Sequence, residues 1–233
     1  MSARFAAAVF DMDGLLLDSE RPIRDAWLGA AAELGAPLTE ADYLSVVGRN
    51  ERESDARLLE VFGGDAALLG ATRRRADALI AERFGTAPFE VKPGAVRLLR
   101  ALRSAAIPCA VASSTAHREV ERRLERAGLR GFFGAVCGGD EVARGKPEPD
   151  LYQLAVERLG VEASHCVAFE DSNYGARAAL AAGLAVVVVP DLKPAEPPWQ
   201  ARCLAVLGSL EQASEMSLEW FGVAVQAGDE RSP

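Results

Sequence analysis

Six short apolar runs, each closed by a polar or glycine-bearing turn, are the feature that most limits how this chain can fold. They are AAAVF before Asp11, IPCAVA before Ser113, AVCGG before Asp140, CVAFE into Asp171, AVVVV before Pro190 and CLAVL before Gly208. Between most of them the apolar residues recur at helical spacing, as in Val96, Leu99 and Leu102, or Val120, Leu124 and Ala127, or Leu151, Leu154, Ala155 and Leu159. Strands that are apolar on both faces and alternate with helices predict a parallel sheet covered by helices on either side, an α/β fold of Rossmann-like type.

One interval breaks the alternation. Residues 19–89 contain no strand pattern, while Ile23, Ala26, Trp27, Ala30 and Leu34 form a helical stripe that Gly35 ends. Residues 41–47, 54–61 and 68–84 also read as helices. The expected organisation is a core of residues 1–18 and 90–221, a helical cap of residues 19–89 inserted after the first strand, and a loose tail of residues 222–233. Pro93 in EVKPGAV suits the start of the helix that returns the chain to the sheet.

A length of 233 residues accommodates such a core with one insertion. The net charge of −8 argues against a nucleic-acid backbone or an anionic membrane as partner. The sequence carries no signal-peptide pattern and no long apolar span, so a cytoplasmic protein is expected. Cys109, Cys137, Cys166 and Cys203 show no close pairing and are expected to be buried free thiols within strands.

Open parallel sheets bind ligands beyond the carboxyl ends of their strands. There the first run delivers Asp11 and Asp13, the second Ser113, Ser114 and Thr115, and the fourth Glu170 and Asp171, while Lys146 in RGKPEPD sits in the loop before the fourth. Each signal alone has a bland reading: D-x-D and E-D serve as turns and helix caps, and most lysines are solvated. Their convergence on one sheet edge is what points to chemistry. Paired buried carboxylates repel each other and resist desolvation, so they persist where a cation or a reaction uses them.

In order and spacing, DMDG, ASST, GKPEPD and FEDSNYGARAALAAG resemble the four motifs of the haloacid dehalogenase-like hydrolases, and the run DMDGLLLDSE resembles the branch of β-phosphoglucomutase and small sugar-phosphate phosphatases. The resemblance spans essentially the whole chain, cap included. It implies a Mg²⁺-dependent phosphatase acting on a small phosphorylated metabolite, with the protein a monomer or weak dimer. Asp11 would be the nucleophile that forms an aspartyl-phosphate, and Asp13 the acid and base that protonates the leaving group and then activates water. Ser113 and Lys146 would hold the transferring group. Asp11, the backbone carbonyl of Asp13, Glu170 and Asp171 would bind Mg²⁺ through oxygen alone. Gly14, Ser114 and the cap residue Arg49 are the expected substrate contacts.

The pattern departs from the dehalogenases themselves, which need neither a second acid nor a metal. It also departs from the mutases, which carry a histidine twelve residues after the nucleophile where this chain has Ile23. A phosphosugar mutase and a non-catalytic phosphosugar-binding protein stand as alternatives to the phosphatase. The run Arg73-Arg74-Arg75 reads as a solvated helix face, and His117 and His165 receive no role.

Overall fold

The computed structural model describes residues 4–47, 51–85 and 87–222. Strand β1 (Ala7–Phe10) is buried along its whole length. Four helices follow within the inserted segment: α1 (Glu20–Leu34), α2 (Glu40–Val46), α3 (Glu51–Val61) and α4 (Ala66–Phe84). The chain then alternates as α5 (Ala95–Ser104), β2 (Cys109–Ser113), α6 (His117–Arg126), β3 (Ala135–Gly138), α7 (Asp150–Leu159), β4 (Cys166–Glu170), α8 (Asn173–Ala181) and β5 (Ala185–Val188). Short elements close it: α9 (Pro197–Gln200), β6 (Ala205–Val206), α10 (Leu210–Glu215) and α11 (Ser217–Phe221).

All six strands are parallel, in the order β3-β2-β1-β4-β5-β6. Alternation along β1 sends Ala8 and Phe10 to one face of the sheet and Ala7 and Val9 to the other. On the first face they meet Leu98 and Leu102 of α5, Leu124 of α6 and Trp220 of α11. On the second they meet Leu151 and Tyr152 of α7 and the alanines of α8. Because both faces are covered, the strands had to be apolar throughout, which is why they stand out in the sequence. Phe10 stacks on Phe169 of the adjacent strand at 4.8 Å between ring centroids.

The chain runs outward from β1 to β2 and β3 on one side and returns to β4 on the other. The C-terminal ends of β1 and β4 therefore flank the point where strand order reverses, the place where such sheets open a crevice.

Helices α1 and α4 approach through small residues, Ala26, Ala30 and Ala76, and a separate apolar cluster of Ala31, Leu38, Val46, Leu58, Phe62 and Leu69 gives these helices a core of their own. Gly35 ends α1 in the left-handed conformation, as its position predicts. The two linkers lie side by side: Asp18 N donates to Glu90 O at 2.8 Å and Lys92 N to Leu16 O at 2.9 Å. The buried Asp191, just after β5, joins both, since its Oδ1 accepts from Arg21 and from Lys92. No described helix is long and apolar enough to cross a membrane.

Two expectations need correction in detail. Cys109, Cys137 and Cys166 are buried free thiols on strands, but Cys203 lies ahead of β6 and is only partly buried. The basic run on α4 is not uniformly solvated: Arg74 is exposed, Arg75 pairs with Glu33 and Glu82, and Arg73 turns inward to Asp55 and the face of Trp27.

Candidate active site

Asp11 follows β1 and Asp171 follows β4, so pairing of these strands brings their carboxylates to one place. Lys146 reaches the same point from the loop before α7. It is 2% exposed, and its Nζ donates to Asp11 Oδ1 at 2.6 Å and to Glu170 Oε1 at 2.5 Å. Its ammonium lies 5.1 Å from the centre of the Tyr152 ring. Burial alone would push the Lys146 ammonium down, but the Asp11 and Glu170 carboxylates outweigh it and raise it.

Glu170 is fully enclosed. Oε1 accepts also from Tyr152 OH at 2.6 Å, and Oε2 accepts from the backbone N–H groups of Asp171 and Ser172 and from Ser172 Oγ. The carboxylate rests on α8 where Gly175 leaves room: a Cβ there would lie 1.9 Å from Oε1. Gly14, at φ +86°, meets a similar limit, because a Cβ would lie 2.4 Å from Asp171 Oδ2. The sequence reading gave Gly14 a substrate-facing reason; the contact adds a reason within the chain, clearance for Asp171.

Asp11, Glu170 and Asp171 offer oxygen atoms that all lie within 4.8 Å of one another. Burial, reinforced for each by the neighbouring carboxylates, raises both Asp11 and Asp171 well above the usual carboxylate range, although Lys146 opposes it. Once all three carboxylates are ionised, they leave two negative charges beyond the one ammonium in a buried space. That excess equals the charge of one divalent cation, and an all-oxygen donor set suits a hard one. The residues present thus fit the metal that the sequence motifs imply.

Asp13 sits apart from this cluster. Oδ1 accepts from Ser19 Oγ at 2.7 Å and from Arg123 Nη1 at 2.6 Å; Oδ2 accepts from Thr115 Oγ1 at 2.9 Å and from Ser113 Oγ at 3.3 Å. With its side chain so occupied, the backbone carbonyl remains the atom of Asp13 for a cation to meet. Ser113 is fully buried, whereas Ser114 is exposed on the wall of the same cavity.

That cavity, about 430 Å³, is lined by Asp11, Asp13, Lys146, Asp171, Ser114 and Glu20 among others. A second, about 290 Å³, lies among the inserted helices with Trp27, Tyr43, Asp55 and Arg73 on its walls, and Glu20 and Val47 border both. Burial pushes the Glu20 carboxyl up to about 8, with the Asp13 and Asp191 carboxylates adding to the effect. Gly48 and Arg49, the expected cap contact, lie outside the described residues. Ile23 packs against the main core.

Sequence reasoning missed Ser19, Glu20, Arg123 and Tyr152. Ser19 and Glu20 follow the first motif, Arg123 lies among charged residues in HREVERRLER and Tyr152 lies beside Leu151, and none of these settings shows a partner in the site.

The model of the haloacid dehalogenase-like hydrolases matches residues 5–183. The chain belongs to that family. Among its relatives is a phosphorylated carbohydrates phosphatase of Thermotoga maritima, 35% identical over 178 residues that cover 76% of this chain and 82% of the relative. The fructose-1-phosphate phosphatase YqaB of Escherichia coli is 30% identical over 189 residues, 81% of this chain and 98% of that one. A solved structure of a CbbY variant from Rhodobacter sphaeroides in complex with xylulose-(1,5)bisphosphate superposes with a TM-score of 0.69 at 29% identity, covering 89% of this chain and 96% of that one. As a member of this family the chain is an enzyme, a phosphoric monoester hydrolase.

Proposed function

We propose that the chain is a Mg²⁺-dependent phosphatase of a phosphorylated sugar, working through a phosphoryl group carried on Asp11. The observation that carries this reading is the division of partners between the two acids. Asp11 is set against Lys146 within the oxygen cluster, and Asp13 is held separately by hydroxyls and a guanidinium on the wall of the same cavity. On this reading one acid attacks and the other carries a proton.

Asp11 would attack phosphorus, forming an acyl phosphate as the bond to the sugar oxygen breaks, and that oxygen would take its proton from Asp13. Water would then attack the phosphoryl group, giving its proton to Asp13, and the Asp11 carboxylate would leave. Lys146 would balance charge on the phosphoryl oxygens. Asp11, Glu170, Asp171 and the Asp13 carbonyl would hold the metal, which when bound supplies electrostatic neutralisation between carboxylates and phosphate.

The sugar preference is supported by the second cavity, where aromatic Trp27 and Tyr43 meet polar Asp55 and Arg73, and by the substrates that the relatives' names give. Residues 19–89 would act as the cap and residues 1–18 with 90–221 as the catalytic core. The test is phosphate release from a panel of phosphorylated metabolites with Mg²⁺ and with EDTA. The expected result is Mg²⁺-dependent release, highest on sugar phosphates and abolished by Asp11→Asn. Release from none, or release indifferent to Asp11, would overturn the reading.

A further inference from the structure

Arg123 stands where three parts of the molecule meet. It lies on α6, the helix that follows β2, yet only 15% of its side chain is exposed. Nη1 donates to Asp13 Oδ1 at 2.6 Å, Nε donates to Glu119 Oε1 at 2.8 Å, and the guanidinium lies 5.2 Å from the centre of the Phe89 ring in the return linker. A planar cation gripped by a carboxylate one turn earlier and laid over an aromatic ring has little freedom to turn. Its remaining edge is therefore aimed at Asp13. The hydroxyls of Ser19, Thr115 and Ser113 can rotate and swap donor for acceptor, whereas the guanidinium is a donor in a fixed plane.

From this we infer that Arg123 is a positioning residue for the proton carrier: it fixes the plane of the Asp13 carboxylate against the leaving-group oxygen. The inference rests on the reading of Asp13 as the group that protonates that oxygen. Its consequence is selective. A leaving group that must be protonated as it departs depends on where Asp13 points, and one that departs as a stable anion does so much less.

The experiment compares kcat/KM, which reports events up to phosphoryl transfer, for the best alkyl phosphate from the release panel and for p-nitrophenyl phosphate. Arg123→Met keeps an apolar stem over Phe89 and removes the fork; Arg123→Lys keeps the charge. Asp13→Asn is the reference. In Arg123→Met the alkyl-to-aryl ratio is expected to fall by about tenfold or more, in Asp13→Asn by more still, and in Arg123→Lys by less, with KM changing less than kcat on the alkyl substrate. Equal loss on both substrates in Arg123→Met, with the reference ratio shifted, would overturn the inference while leaving the role of Asp13 intact. An unshifted ratio in Asp13→Asn would overturn both. Thermal unfolding of each variant separates these outcomes from loss of fold, and an Arg123→Lys ratio as low as that of Arg123→Met would locate the effect in the fork rather than in its charge.

Discussion

The edge of the sheet and the inserted helices solve opposite problems. At the edge, Lys146, Glu170 and Asp11 are almost wholly buried, and each charge is held at short range by partners fixed to strand ends. Among the helices, Arg73 and Asp55 pair while partly exposed, and Arg75 pairs with both Glu33 and Glu82 at the surface. Buried charges must be matched group by group or the structure pays heavily, whereas solvated pairs contribute little and are free to vary. Under the proposed function, the contrast puts the phosphoryl chemistry in the sheet and leaves discrimination among leaving groups to a region that tolerates change.

The largest expected effect falls on the sheet. Asp11→Asn should lower kcat by about a thousandfold or more, since an amide is a poor nucleophile. Steady-state phosphate release checks it, and near-normal turnover would remove the covalent route. Next comes Lys146→Met. Taking away the ammonium leaves Asp11 and Glu170 buried without their cation, a loss of about 3–5 kcal/mol by the rule for broken buried pairs. Denaturant unfolding in EDTA measures it, and Mg²⁺ should restore part of the deficit by entering the same oxygen cluster. A loss below 1 kcal/mol would mean that the neighbouring acids are neutral in the folded protein.

The helices should respond differently. Arg73→Met should change stability by no more than about 1 kcal/mol, because its pair with Asp55 is half in solvent. It should instead raise KM for the preferred sugar phosphate while kcat holds, the signature of lost ground-state binding. A fall in kcat with KM unchanged would place Arg73 in the chemistry and blur the distinction between the two regions.

The same contrast governs what could be read from the sequence. Asp11, Glu170 and Asp171 were legible because each closes or adjoins a run of apolar residues whose parallel pairing fixes where its end must lie, and Lys146 because GKPEPD resembles a motif in the loop before the fourth run. Gly35 was legible from its place after a helical stripe. Arg123 was not, since HREVERRLER shows an apolar face at Val120 and Leu124 amid charges that look alike, and only the fold places that helix beside Asp13. Tyr152 follows an apolar stripe that gives no hint of its hydroxyl's partner, Glu170. Among Arg73, Arg74 and Arg75 the sequence offers no means of telling the inward residue from its neighbours, because local charge pattern does not carry helix phase relative to a distant Trp27 or Asp55.

The smallest expected effect lies on the boundary itself. Glu20 opens α1 and borders both cavities, and its carboxyl is pushed up to about 8 from an ordinary 4.5 by burial first and then by Asp13 and Asp191, against the opposing pull of Arg123 and Lys193. A carboxyl whose folded value is raised keeps its proton where the unfolded chain has lost it. Between about pH 4.5 and 8 the folded state therefore binds more protons, and this group makes stability fall as pH rises through that window. Below the window the contribution is flat, and above it the full penalty is present. Glu20→Gln keeps the shape without the ionisation, so the variant should lose stability less steeply with pH than the parent, with the two curves closest at the acid end. Asp11 is raised by burial as well and remains in both proteins, whereas Asp171 is raised by burial and in part by the Glu20 charge, so removing that charge eases its shift and flattens the variant's curve in the same direction. Denaturant unfolding at intervals from pH 5 to 8 in EDTA reads this difference. Parallel curves would show that Glu20 is solvated in the working protein, and that the boundary between sheet and helices is as open as the surface of the helices themselves.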